Sequence, residues 1–102
     1  MKKLKEEISD FIAKRDWHQY HTPKNLAMAL SVESSELLEI YQWMTPEESS
    51  EPDEKTLTHI EEEIGDIMIY LTTLAAAYNI DPIAAARKKI ITNKLKYPEP
   101  PQ

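Results

Sequence analysis

Four carboxylates define the chemistry open to this chain. They form two pairs, Glu33-Ser-Ser-Glu36 and Glu63-Ile-Gly-Asp66, each within a stretch of helical periodicity. Residues three apart share one face of an α-helix. Leu26, Ala29, Leu30, Leu37 and Ile40 share the first pair's face, and Ile60, Ile67, Tyr70 and Leu74 the second's. Periodicity therefore puts all four acids inside apolar stripes, where unpaired charges are rare. Burying like charges is costly unless they take up protons or share a cation. The expected resolution is a divalent metal held between two helices by Glu33, Glu36, Glu63 and Asp66. Oxygen-only ligands favour Mg²⁺ first and Mn²⁺ second. Such an ion keeps several waters and is completed by substrate phosphates, which points to metal-assisted hydrolysis of a phosphate ester or anhydride.

A solvated acidic face is the competing reading. It fits Glu61, which points away from the stripe, and Glu47, Glu48, Glu51 and Glu54 in a polar connection. Glu39 and Glu62 lie at stripe edges, either as outer partners of the metal ligands or as exposed residues. His59, one turn before Glu63, keeps a weak case for a transition metal, but reads more readily as an ordinary surface or helix-start histidine. Neither acidic pair carries the Glu-x-x-His of di-iron bundles.

The elements that must position these acids are four predicted helices. Leu4, Ile8, Phe11 and Ile12 mark the first, over about residues 3–16. Asp16 to His21 is read as an ordered loop. Thr22-Pro23 is a cap followed by proline, and opens a second helix running to Trp43. Residues 44–55 form a polar connection with room for one short turn at Thr45-Pro46. The third helix is predicted over 56–78, with Asn79 as its stop. Gly65, between Glu63 and Asp66, suggests a close helix approach. Asp81-Pro82 opens the fourth helix, which ends by Lys96. Residues 1–97 read as one helical domain and 98–102 as a frayed tail.

Composition agrees. The 102 residues are 41% apolar with a single glycine, which suits an all-α chain. Four or five helices of this length have too little interior to bury every apolar stripe, so self-association is expected. A formal charge of −6 argues against binding nucleic acid or an anionic membrane surface. No apolar run approaches spanning length. With no cysteine, disulfide and thiol chemistry are excluded for these residues. Met1-Lys2-Lys3 leads into an acidic amphipathic stretch rather than an apolar one, so a secretory leader is not expected and the cytoplasm is the expected compartment.

Other residues could serve a substrate. Lys89 and Asn93 are four apart on the last helix, a cation and an amide presented together. Trp17 and Trp43 lie at helix ends, where a flat ring could stack on a base or simply pack. Tyr70 is one turn beyond Asp66, either as a core tyrosine or as a substrate contact.

These motifs resemble the MazG-like, all-α nucleoside triphosphate pyrophosphohydrolases. Glu33-x-x-Glu36, a gap of 26 residues and Glu63-x-x-Asp66 is similar to that family's metal motif. Arg15-Asp16-Trp17, His21-x-Pro23-x-Asn25-Leu26, Gln42-Trp43 and Asn93-x-x-x-Tyr97-Pro98 resemble its short dCTP pyrophosphatase branch. The resemblance implies a four-helix bundle completed by oligomerisation, as a homodimer or homotetramer. It implies Mg²⁺-dependent cleavage of the α–β anhydride of a (deoxy)nucleoside triphosphate, with dCTP or a modified pyrimidine nucleotide as substrate. Carried over by position, Glu33, Glu36, Glu63 and Asp66 hold the metal and carry catalysis. Trp17 and Trp43 border the base, Tyr70 contacts the sugar or base region, and Lys89 and Asn93 contact the nucleotide. The alternative from the residues alone is a helical module that binds a nucleotide or a protein without chemistry.

Overall fold

A computed structural model describes residues 1–101. Among them the chain is all-α: α1 (Lys2–Lys14), a 3₁₀ turn (His18–Tyr20), α2 (Pro23–Tyr41), α3 (Pro46–Ser50), α4 (Glu54–Ala76) and α5 (Pro82–Lys96). The cap signals act as their chemistry dictates. The Thr22 hydroxyl accepts the Asn25 N–H at 3.2 Å. Asp81 accepts the N–H groups of Ile83 and Ala84 at 2.8 and 3.3 Å. Asn79 has φ 55°, the left-handed conformation that asparagine tolerates after a helix.

Helices α1, α2 and α4 end two residues earlier than the sequence reading places them, at Lys14, Tyr41 and Ala76, and two further differences lie at the connection. The connection at 44–55 holds a fifth helix, α3. Thr45 and Glu48 form a reciprocal capping box, each side chain accepting the other's backbone N–H at 3.1 Å. α4 also starts earlier than Thr56, because the Asp53 carboxylate accepts the Thr56 N–H at 2.7 Å and caps it. Polar runs hide such starts from a hydrophobic periodicity. Of the tail expected at 98–102, residues 98–101 are irregular and exposed, and Gln102 lies outside the described residues.

α2 and α4 form the spine. Leu26 and Thr72 line one cavity, Glu33 and Glu63 share one acidic cluster, and Ile40 and Thr56 line one cleft, so the two helices run antiparallel. α1 lays Ile8 and Ile12 against α4, and α5 touches α4 only lightly. The buried apolar set is small among the described residues: Ile8, Ile12, Leu26, Ile60 and Ala75. No residue of α5 is buried. No described helix is long and apolar enough to cross a membrane.

The chain is open. Its radius of gyration is 16.9 Å, against about 13 Å for a compact domain of this length. It exposes 8450 Å², about 2,500 Å² more than a compact monomer of its mass.

Gly65 makes no close approach. A Cβ built there meets nothing within 4 Å. The sequence expectation of helices crossing at this glycine is therefore corrected: the seam runs along the other side of α4. Gly65→Ala is expected to stabilise the chain by about 0.5–1 kcal/mol through helix propensity. A higher urea midpoint at unchanged m-value would show it. A loss of stability would mean that a partner packs on that face.

Candidate metal centre

The antiparallel spine brings the two acidic pairs face to face. One carboxylate oxygen from each of Glu33, Glu36 and Glu63 lies within 4.8 Å of the others. Glu63 is 8% exposed and Glu33 is half-buried. Oε2 of each is buried with no hydrogen-bond partner. The other oxygen of Glu63, Oε1, lies 3.5 Å from Nε2 of His59. So His59, read from sequence as an ordinary helix-start residue, stands beside a cluster acid.

Glu33 is held partly protonated near neutral pH. Burial pushes the Glu33 carboxyl up from 4.5 to about 7, helped by hydrogen bonding to Glu36 and Glu63 and by the charges of Glu36 and Asp66. The donor set fits a hard divalent cation. It is all oxygen, it converges from two rigid helices, and two of its buried oxygens lack any partner. Such orphaned acceptors are costly unless a cation or proton meets them.

Periodicity overstated how deep the quartet sits. Glu36 and Asp66 are exposed, not enclosed in a dry seam. A two-helix seam shields only its centreline, and these two residues stand on its open flank. Asp66 falls outside the three-oxygen cluster, although its charge reaches Glu33.

The cleft beside the cluster is lined by Glu36, Glu39, Gln42, Thr56, His59 and Glu63, with Ile40 and Met44. Met44 and Thr56 carried no sequence signal, since one sits in the expected connection and the other at the expected start of the third helix. Trp17, Trp43, Tyr70, Lys89 and Asn93 do not line it. Trp17 stacks edge-on against Phe11, ring centroids 5.5 Å apart. Trp43 is 89% exposed beyond the end of α2. Tyr70 and Asn93 are half-buried, and Lys89 is exposed on α5. One chain therefore gathers the acids without the expected substrate contacts.

Cation binding should be coupled to protons. Glu33 must lose its proton to become a ligand. At pH 6, binding of Mg²⁺ or Mn²⁺ is expected to release close to one proton, and apparent affinity should fall by up to about tenfold per unit as pH drops below 7. Calorimetry in two buffers of different ionisation enthalpy measures both. Affinity that stayed flat between pH 5 and 8 would remove Glu33 from the ligand set.

Comparison with known proteins follows the same lines. The MazG-like family profile matches residues 28–102. The chain is 42% identical to dCTP pyrophosphatase 1 of Bos taurus and 39% identical to that of Homo sapiens. Each match covers 88% of this chain and 54% of the relative, so the chain spans about half the length of these curated relatives. A crystal structure of a pyrophosphatase from Archaeoglobus fulgidus superposes with a TM-score of 0.91 at 43% identity, covering 97% of this chain and 93% of that one.

Proposed function

This chain belongs to the MazG-like family, and on that footing we propose that it is a nucleoside triphosphate pyrophosphohydrolase. The substrate is a pyrimidine deoxynucleotide such as dCTP, cleaved at the α–β anhydride to the monophosphate and pyrophosphate. The observation that carries this reading is the convergence of Glu33, Glu36 and Glu63 within 4.8 Å around buried, unpartnered oxygens. The relatives named dCTP pyrophosphatase 1 support the choice of base.

Glu33, Glu36 and Glu63, with Asp66 at the flank, would hold Mg²⁺, with Mn²⁺ as a substitute. When bound, the ion supplies neutralisation of the charge that develops on the phosphate oxygens. Around it the residues have separable tasks. Glu33 gives up its proton as the site loads. A carboxylate left free by the ion accepts the proton of the attacking water. His59 would orient the Glu63 carboxylate from the Oε1 side, leaving its buried Oε2 without a protein partner.

The reading extends to assembly. Residues 1–97 act as one domain and pair into a homodimer or homotetramer in the cytoplasm. An exposed surface about 2,500 Å² in excess exceeds what each partner buries in a standard interface. Lys89 and Asn93 reach the nucleotide from a neighbouring copy, and Trp17, Trp43 and Tyr70 border its base and sugar. That arrangement accounts for their absence from the cleft of their own chain.

The test is a panel of nucleoside triphosphates with and without Mg²⁺, with products resolved by anion exchange. Monophosphate and pyrophosphate in equal amounts, only with metal and fastest for dCTP, are expected. Stoichiometric nucleotide recovered intact would favour a binding module without chemistry.

A further inference from the structure

A second cavity of about 240 Å³ lies at the opposite end of the α2–α4 seam. Its α4 wall includes Thr72, nine residues past Glu63, or about 13 Å along the helix. No residue lining it belongs to the acidic cluster. Ile8 and Ile12 of α1 and Leu26 of α2, all buried, make its floor apolar.

Two polar atoms interrupt that floor. Thr72 is 2% exposed, and its hydroxyl has no hydrogen-bond partner. Nδ1 of His21, in the turn before α2, is also buried and unpartnered. Five other helical hydroxyls bond back to the carbonyl four residues earlier, including that of neighbouring Thr73 to Ile69 at 2.7 Å. Thr72 does not, although it is the one that water reaches least. An unpaired hydroxyl in an apolar wall lowers stability unless something enters to pair it. Lys5 brings a positive charge to the lining, and no carboxylate lines the cavity.

We propose that this cavity binds a small organic anion. The apolar body of the ligand rests on Ile8, Ile12 and Leu26. A polar group on that body pairs with the Thr72 hydroxyl and His21 Nδ1, and the acidic head faces Lys5. Mostly apolar walls with a few convergent polar groups are the make-up of a small-molecule pocket. A bare inorganic ion is disfavoured, because the apolar floor strips its hydration and returns little. The site is separate from the acidic cluster and stands whether or not the chain hydrolyses nucleotides. Two sources share the required chemistry: an aromatic carboxylate, and the phosphomonoester of a nucleoside.

The test is an amide-shift titration of the full ¹⁵N-labelled chain, without divalent metal, by benzoate and separately by deoxycytidine monophosphate. At least one probe should saturate, with shifts centred on His21, Thr72 and Ala76, and the one that does identifies the source. Lys5→Glu should weaken that binding by about tenfold or more. Thr72→Val should weaken it by about three- to tenfold. Mg²⁺ titration at Glu63 should be unchanged in both variants. If Thr72→Val does not fold, the exposed Lys5→Glu decides the matter alone. An unchanged spectrum with both probes at millimolar concentration, or shifts centred on Glu33 and Glu63, overturns the proposal.

Discussion

Glu63→Gln is expected to lose cation binding and hydrolysis together, while the metal-free protein becomes more stable. Glu63 is the most buried of the four acids, and its Oε2 has no partner. Glutamine keeps the shape, removes one negative charge and can donate a hydrogen bond to Glu33. With the cluster short of a ligand charge, activity should fall by at least about 100-fold. The metal-free fold, relieved of like-charge crowding, should gain about 1 kcal/mol. The sign follows from linkage. The carboxyl of Glu33 titrates near 7 in the folded chain and near 4.5 when unfolded. Its proton therefore favours the folded state at low pH, and that contribution is lost as pH rises through 7. The full shift corresponds to about 3 kcal/mol at most. Glu33→Gln should flatten this slope between pH 4.5 and 7. Urea denaturation without metal, calorimetry with Mg²⁺ and product release by chromatography measure the three quantities. Retained activity with lower stability would show that these acids are not the working site.

The second large effect is complementation between chains. Lys89 and Asn93 ride on α5, which has no buried residue and takes no part in lining the acidic cleft. If a neighbouring copy supplies them, Glu63→Gln and Asn93→Ala should each be inactive alone yet recover activity when mixed. Random pairing makes half of the dimers mixed, each with one intact site and one doubly damaged site. About a quarter of wild-type activity should return. Refolding the two variants together and following pyrophosphate release tests this. No recovery, with dimers present by light scattering, would place Asn93 in its own chain's site or outside any site.

The helices were legible where hydrophobic periodicity and caps coincided. Thr22-Pro23 and Asp81-Pro82 opened α2 and α5 where expected, since a side-chain acceptor followed by proline has few other uses. α3 was foreseen only as room for one short turn at Thr45-Pro46, and α4 was started too late, because their caps, Thr45 and Asp53, lie among charges with no apolar rhythm. At the site, spacing alone aligned Glu33 with Glu63. It could not tell centreline from flank, so it buried Glu36 and Asp66 too deeply. It also gave no means of seeing Thr72, whose orphaned hydroxyl depends on how α1 covers α4. The second cavity is a property of packing between three elements, which no single periodicity carries.

α5 has a consequence for how much protein is needed before any of it works. Fifteen residues of helix without a buried side chain sit near the length at which an isolated helix is marginal in water. On a lone chain this arm would melt and re-form continually, and a neighbour that covered Ile90, Ile91 and Leu95 would hold it. If the chains pair as proposed, order in the arm rises with encounter frequency. Newly made chains at low abundance would carry their acids ready and their last helix undone, so output would climb more steeply than the amount synthesised.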